Sequence, residues 1–92
     1  MNAPGTRNLR VAAYFNRQTK SWVARHRRIT RRSVDMVKQE ENLYGYGSKL
    51  MEALEGIVAQ VRFEDCRVLC RVLLPDKHLT RVQVNFTNVS RF

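Results

Sequence analysis

One segment constrains the fold more than any other, because it carries a sustained helical period. Residues 48–63 read SKLMEALEGIVAQVRF, and Ser48 is suited to cap the amino end of a helix that begins just after it. Apolar side chains recur at i, i+1, i+4, i+7, i+8 and i+11, as Leu50, Met51, Leu54, Ile57, Val58 and Val61. This spacing predicts an amphipathic helix with one face on a core.

The segment before this helix predicts a β-hairpin over residues 8–29. In NLRVAAYFN the side chains alternate, so that Leu9, Val11, Ala13 and Phe15 lie on one side. Asn16 favours a turn, and SWVARHRRI then predicts a second strand anchored by Trp22 and Val23.

The last third predicts a second hairpin, with a turn at PDKH. The strand CRVLCRVLL directs Cys66, Val68, Cys70, Val72 and Leu74 to the interior, and LTRVQVNF directs Thr80, Val82, Val84 and Phe86 to the same side. The opposite, outer face then carries Arg67, Arg71, Arg81, Gln83 and Asn85.

Between the hairpin and the amphipathic helix, TRRSVDMVKQEENLY predicts an additional helix, capped by Thr30 or Ser33. The glycines of YGYGS interrupt that helix before Ser48. The predicted class is therefore α+β: an antiparallel sheet of two hairpins, in the order ββ-α(α)-ββ, covered on one face by an interrupted helix. We expect residues 1–92 to form a single domain, with residues 1–7 as a flexible leader.

The positive charge is segregated along the chain. The net charge is +9, and residues 1–34 contain nine Lys or Arg and no acid, whereas residues 35–92 contain eight basic and eight acidic residues. A segregated basic region is typical of a protein that binds a polyanion or an acidic surface. Arginine outnumbers lysine in this region by eight to one, which favours bidentate recognition of phosphate or carboxylate.

The densest part of this region is VARHRRITRR, at residues 23–32. We predict a binding surface for a partner or nucleic acid formed by Arg17, Lys20, Arg25, Arg27, Arg28, Arg31 and Arg32. Arg31 and Arg32 stand at the start of the predicted first helix, where cations oppose the helix dipole, and this cost argues for a functional role. Tyr14 and Trp22 are candidates to stack on an unpaired base, and Trp22 is equally suited to the core.

The sequence offers little for catalysis. No P-loop, G-x-S-x-G or H-E-x-x-H motif occurs, and the carboxylates Glu52 and Glu55 fall on the solvent side of the helix. Cys66 and Cys70 read as buried thiols of a reducing compartment. We therefore expect a protein that is not an enzyme and that has no metal, no other cofactor and no small-molecule substrate. No segment predicts a signal peptide or a membrane span.

Two stretches, LRVAAYFNRQTKSWVARHRR and LYGYGSKLMEALEGIVAQV, resemble small phage proteins, namely the phage-encoded anti-CRISPR inhibitors of the type I-F surveillance complex. The resemblance covers the whole chain in length and order of elements. It implies binding to a ribonucleoprotein of Cas proteins and guide RNA in the cytoplasm of a bacterial host, which blocks the binding or hybridisation of target DNA. The basic region is compatible with contact to the guide-RNA backbone, and no residue roles carry over.

A general RNA- or DNA-binding module, such as a ribosome-associated or phage regulatory protein, is the alternative. It predicts affinity for free nucleic acid that falls steeply with salt. A dimer formed through exposed sheet edges is a third interpretation.

Overall fold

A computed structural model of the protein describes residues 6–31, 38–61 and 65–87. In chain order the elements are β1 (Thr6–Asn16), β2 (Ser21–Arg31), β3 (Lys38–Gly47), α1 (Leu50–Val61), β4 (Asp65–Leu73) and β5 (Leu79–Thr87). The predicted α+β class is confirmed: the described strands form one mostly antiparallel sheet, and the described helix packs on it.

The sheet has the strand order β3-β2-β1-β4-β5. Its neighbours pair antiparallel, except that β1 and β4 are parallel, with Leu9 opposite Val68 and Ala13 opposite Val72. A parallel pair needs a crossover connection, and here β2, β3 and α1 lie between the two strands in the chain. The parallel pairing places the arginines of the amino-terminal and carboxyl-terminal strands in one sheet.

Alternation along each strand divides the sheet into two faces. The face of the sheet against which α1 packs is called the covered face. The opposite face is called the open face. The buried core of the covered face consists of Leu9, Val11, Ala13, Ala24, Ala53, Leu54, Ile57, Cys66, Val68, Cys70 and Val72. The predicted positions Val84 and Phe86 pack against this core while only partly buried. Thr80 and Met51, which the pattern assigned to the interior, are exposed.

The amphipathic helix begins and ends close to its predicted bounds. Before its first turn, the Ser48 backbone N–H donates to Glu52 Oε2 at 3.0 Å, and the Ser48 hydroxyl donates to the same carboxylate at 3.2 Å. The Glu52 carboxylate thus holds the chain as it enters the helix, and a negative charge in the first turn also suits the helix dipole.

The predicted helix between residues 30 and 44 is wrong where the structure describes it. β2 continues to Arg31, and Lys38–Gly47 form β3, paired with β2 from Arg31 opposite Lys38 to Trp22 opposite Gly47. Residues 32–37, with the proposed cap Ser33, lie outside the described residues. Helix propensity is a weak preference, and pairing with the otherwise open edge of β2 satisfies those backbone groups of Lys38–Gly47 that face β2.

The YGYG sequence is therefore part of a strand and does not interrupt a helix. Gly45 is required there because a Cβ would overlap the backbone carbonyl of Ala53 in α1. A Cβ on Gly56 would in turn lie 3.3 Å from the Gly45 Cα, so two glycines permit the close approach of helix and strand. The Gln60 side chain donates from Nε2 to the Tyr44 carbonyl at 2.7 Å and ties α1 to this edge.

Both predicted turns appear in the structure. The Asn16 side chain accepts the Gln18 N–H at 2.9 Å, and Lys77 N–H donates to Leu74 O at 2.9 Å. β1 begins at Thr6, inside the predicted leader, and residues 1–5 lie outside the described range. No helix in the described part of the chain is long and apolar enough to cross a membrane.

Candidate functional site

The open face carries the strongest concentration of arginine among the described residues. Alternation on β1, β2, β4 and β5 brings six arginines to it: Arg10, Arg25, Arg27, Arg67, Arg71 and Arg81. Only Glu40 and Asp65 supply acidic side chains to the same face in the described residues, and each lies on a strand remote from the other. The open face is thus strongly basic.

Five of these residues form one group, which we call the arginine cluster: Arg10, Arg25, Arg27, Arg71 and Arg81. Arg25 and Arg71 flank Ala12 from either side, and Arg71 lies directly opposite Arg81. A groove of about 870 Å³ runs between these residues, and its floor includes Ala12 and Leu69. The small side chain of Ala12 leaves space between the flanking guanidinium groups.

A break in the β1–β2 pairing shapes one end of the groove. The backbone register of the two strands runs from Asn16 opposite Ser21 to Ala12 opposite Arg25. Beyond that pair, the ring of His26 bridges the strands, with Nδ1 2.9 Å from the Arg10 carbonyl oxygen. Because a carbonyl oxygen only accepts, the His26 Nδ1–H donates this bond. Arg10 and Arg27 then stand on the two strands that flank the bridge.

The arginine cluster is not neutralised by the described residues. Among them Arg28 forms an ion pair with Glu41, at 2.7 Å, and the His78 ring contacts the Asp76 carboxylate, at 2.8 Å, and neither contact involves the cluster. Arg67, farther along β4, is half-buried, and its Nε has no hydrogen-bond partner within the described atoms. Unpaired guanidinium groups on a groove are suited to bind an anion from outside the chain.

The structure divides the predicted binding residues among three places. Arg25 and Arg27 belong to the arginine cluster, whereas Arg17 and Lys20 are exposed in the β1–β2 turn. Arg28 does not reach the open face, because side chains alternate along β2 and Arg28 therefore points to the covered side, where it pairs with Glu41.

The two remaining arginines of the predicted surface receive less support. Arg31 is the last residue of β2 and its side chain is not described, and Arg32 lies outside the described residues. Because Arg31 ends a strand, the argument from an unfavourable helix dipole does not apply to it.

The candidate stacking residues fall on opposite faces. Tyr14 is 45% exposed on the open face, beside the arginine cluster. Trp22 is half-buried on the covered face, where it packs against the core and meets Phe15 edge to face, with ring centroids 5.6 Å apart. Of the two interpretations of Trp22, base stacking or a place in the core, these contacts support the core.

The sequence prediction missed five residues of the site: Arg10, Arg71, Arg81, Tyr44 and Tyr46. The sequence pattern places Arg71 and Arg81 on an outer face, but residues 35–92, to which they belong, carry no net charge, and only the β1–β4 pairing joins them to Arg25. Tyr44 and Tyr46 were assigned to a helix and its interruption, although the alternation of tyrosine and glycine was a strand signal. Their rings stack at 6.3 Å with an interplanar angle of 16°.

Groups that could support other chemistry are sparse in the described part of the chain. It contains no set of three His, Cys, Asp or Glu side chains placed to hold a metal ion. Cys66 and Cys70 are buried, form no disulfide, and belong to the core of the covered face. Burial raises the pKa of the Cys70 thiol, which favours its protonated, unreactive form.

The chain matches none of the protein families, curated proteins or solved structures with which it was compared.

Proposed function

We propose that this protein is a non-enzymatic nucleic-acid-binding module, and that the open face of its sheet is the binding surface. The observation that supports this proposal is the arginine cluster: five guanidinium groups from four strands line one groove, without an ion pair to any described residue. Arginine presents a planar fork of donors that fits phosphate oxygens, and phosphate contacts supply most of the affinity in non-specific nucleic-acid binding.

The arrangement favours phosphate over an isolated carboxylate for a geometric reason. The cluster extends across four neighbouring strands, which are spaced by about 4.8 Å, so it offers a series of charges and not one pocket. A regular polyanion can contact all of them together. The expectation of a ribonucleoprotein target fits the same surface, because a guide RNA also presents a chain of phosphates.

We extend the proposal to the target that the anti-CRISPR resemblance implies. In this form the open face lies on the guide RNA, or on the Cas proteins next to it, in an assembled type I-F complex in the bacterial cytoplasm. Binding there would block target DNA. A general RNA- or DNA-binding role needs the same surface, and the two forms differ in whether free nucleic acid competes.

The test compares two charge-reversal variants of equal net charge by fluorescence anisotropy with labelled oligonucleotides. Arg27→Glu/Arg81→Glu changes two residues of the arginine cluster, whereas Lys49→Glu/Lys77→Glu changes two exposed lysines outside it. With five phosphate contacts, the wild-type affinity should fall with a log–log salt slope of about −3.5 to −4.5. The cluster variant should lose at least the two contacts, which makes its slope shallower by about 1.4 to 1.8.

The lysine variant is expected to keep the wild-type slope and most of the affinity at moderate salt. An equal loss of affinity in both variants would mean that only the net charge of the protein governs binding, and the open face would then not be the binding site. Capture of assembled type I-F complex by each variant, with free RNA and DNA as competitors, separates the two forms. Capture of the complex that free RNA and DNA do not compete away supports the inhibitor. Binding of free nucleic acid without capture of the complex supports the general module.

A further inference from the structure

We infer that the open face is built for single-stranded nucleic acid, with unpaired bases over a row of exposed aromatic and apolar side chains and phosphates over the arginine cluster. The inference rests on the proposed function and adds the class of nucleic acid and the path of its strand. Its basis is an apolar row beside the cluster, which a surface for phosphates alone does not need.

A row of large apolar side chains crosses all five strands of the sheet, with each member directly opposite the next; such a set of paired positions is called a level. Tyr46 lies opposite Val23, Val23 opposite Tyr14, Tyr14 opposite Leu73, and Leu73 opposite Leu79. Four of these side chains are large and exposed, with exposed fractions from 43% for Leu73 to 67% for Leu79. With strands spaced by about 4.8 Å, the row is roughly 19 Å long. We call Tyr14, Tyr46, Leu73 and Leu79 the apolar row.

The next level, formed by the open-face positions two residues away on each strand, carries positive charge. There Arg25 lies opposite Tyr44 on one side and Ala12 on the other, and Arg71 lies opposite Arg81. Residues two apart on a strand share a face and are separated by about 6.6 to 6.8 Å, so the apolar row and the first arginine level run side by side across the strands. Tyr44 connects the levels, since its ring stacks on Tyr46.

A single strand of nucleic acid matches this pattern, because it exposes bases along one edge and phosphates along the other. Bases that lie on Tyr14 and Tyr46 would place their phosphates at the level of Arg25, Arg71 and Arg81. A duplex stacks its bases internally and presents phosphates to the protein, which would leave the exposed leucines and tyrosines without a partner. Exposed apolar groups beside charge mark an interaction site, and every base has a face that stacks on an aromatic ring.

The test measures anisotropy of labelled single-stranded RNA, single-stranded DNA and a DNA duplex of about 12 nucleotides, within the site sizes of single-strand-binding domains. Wild-type protein should bind the single strands more tightly than the duplex. Tyr14→Ala and Tyr46→Ala should each weaken single-strand binding by roughly 5- to 150-fold. Their salt slopes should stay at the wild-type value, because an uncharged side chain releases no counterions.

Tyr14→Phe and Tyr46→Phe are the matched controls, since phenylalanine keeps the stacking face, and both should bind single strands nearly as wild type does. Unfolding midpoints of all four variants verify the fold. The comparison of RNA with DNA identifies which single strand is preferred. Equal wild-type affinity for duplex and single strand, with no effect of the alanine variants, would overturn the inference and leave the proposed function standing. Binding of polyglutamate in place of every nucleic acid would overturn both.

Discussion

The two faces of the sheet are made by the same strands and differ in almost every property. On the covered face the buried side chains are apolar, and the described cation Arg28 pairs with Glu41. On the open face the five residues of the arginine cluster line a groove and make no ion pair with a described residue, and Arg67 and three exposed tyrosines lie on the same face. Alternation along a strand thus lets one short sequence serve both stability and the proposed binding.

Positive charge is grouped differently along the chain and in the folded sheet. Along the chain, the positive charge is concentrated in residues 1–34, but in the structure it is divided by face. Arg28 and Arg27 are neighbours in sequence and lie on opposite sides of the sheet, while Arg25 and Arg81 are distant in sequence and line one groove. The face of the sheet, and not the position in the chain, groups the candidate binding residues.

The largest expected effect is the difference between two identical truncations on the two sides of the sheet. Leu54→Ala, in the core under the covered face, should lower the free energy of unfolding by about 2–5 kcal/mol, because it leaves a cavity. Leu79→Ala, at a 67% exposed position of the open face, should change it by less than about 0.5 kcal/mol. Urea unfolding measures both, and similar losses would remove the distinction between the faces.

The next effect concerns the contact that holds α1 against the covered face. Gly45→Ala should cost about 1–3 kcal/mol, because the new methyl group would overlap the Ala53 carbonyl and the helix would have to move. Asn42→Ala, on the exposed side of the same strand, is the control and should stay within about 0.5 kcal/mol. Thermal unfolding measures the stability of both variants. A Gly45→Ala variant as stable as wild type would contradict the close approach of helix and strand.

The smallest effect is a difference in thiol chemistry between the faces. Because burial raises the pKa of Cys70, the folded protein retains this proton while the unfolded chain loses it as the pH rises past the ordinary thiol value. The stabilisation of the folded protein by this difference in thiol pKa is therefore full below the ordinary thiol pKa. It declines as the pH rises through the raised pKa of the folded state. At about pH 8, thiol labelling of wild type should be slow and limited by unfolding.

Leu73→Cys provides the contrast, because position 73 is 43% exposed on the open face of the same strand. One thiol of this variant should react at once, while Cys66 and Cys70 remain slow. Immediate labelling of all the cysteines in wild type would show that the covered face is open to solvent.

Local patterns predicted much of the fold. The period of residues 50–61 gave a correct helix, and the alternating segments around Val11, Val23, Val68 and Val84 gave correct strands. The prediction failed at residues 38–47, where helix-forming residues such as Glu40 and Glu41 form a strand. Their local preference amounts to tenths of a kcal/mol per residue, which pairing along the whole edge of β2 outweighs.

The sequence alone determined the α+β class, most of the buried apolar positions and the excess of arginine, because each depends on side-chain type and on spacing within one segment. Only the tertiary structure decided which arginines share a surface. The parallel pairing of β1 with β4 joins segments that are far apart in the chain, and its register sets Arg71 beside Ala12 and so across from Arg25. No local period encodes that register, because it results from how the strands pack together under α1.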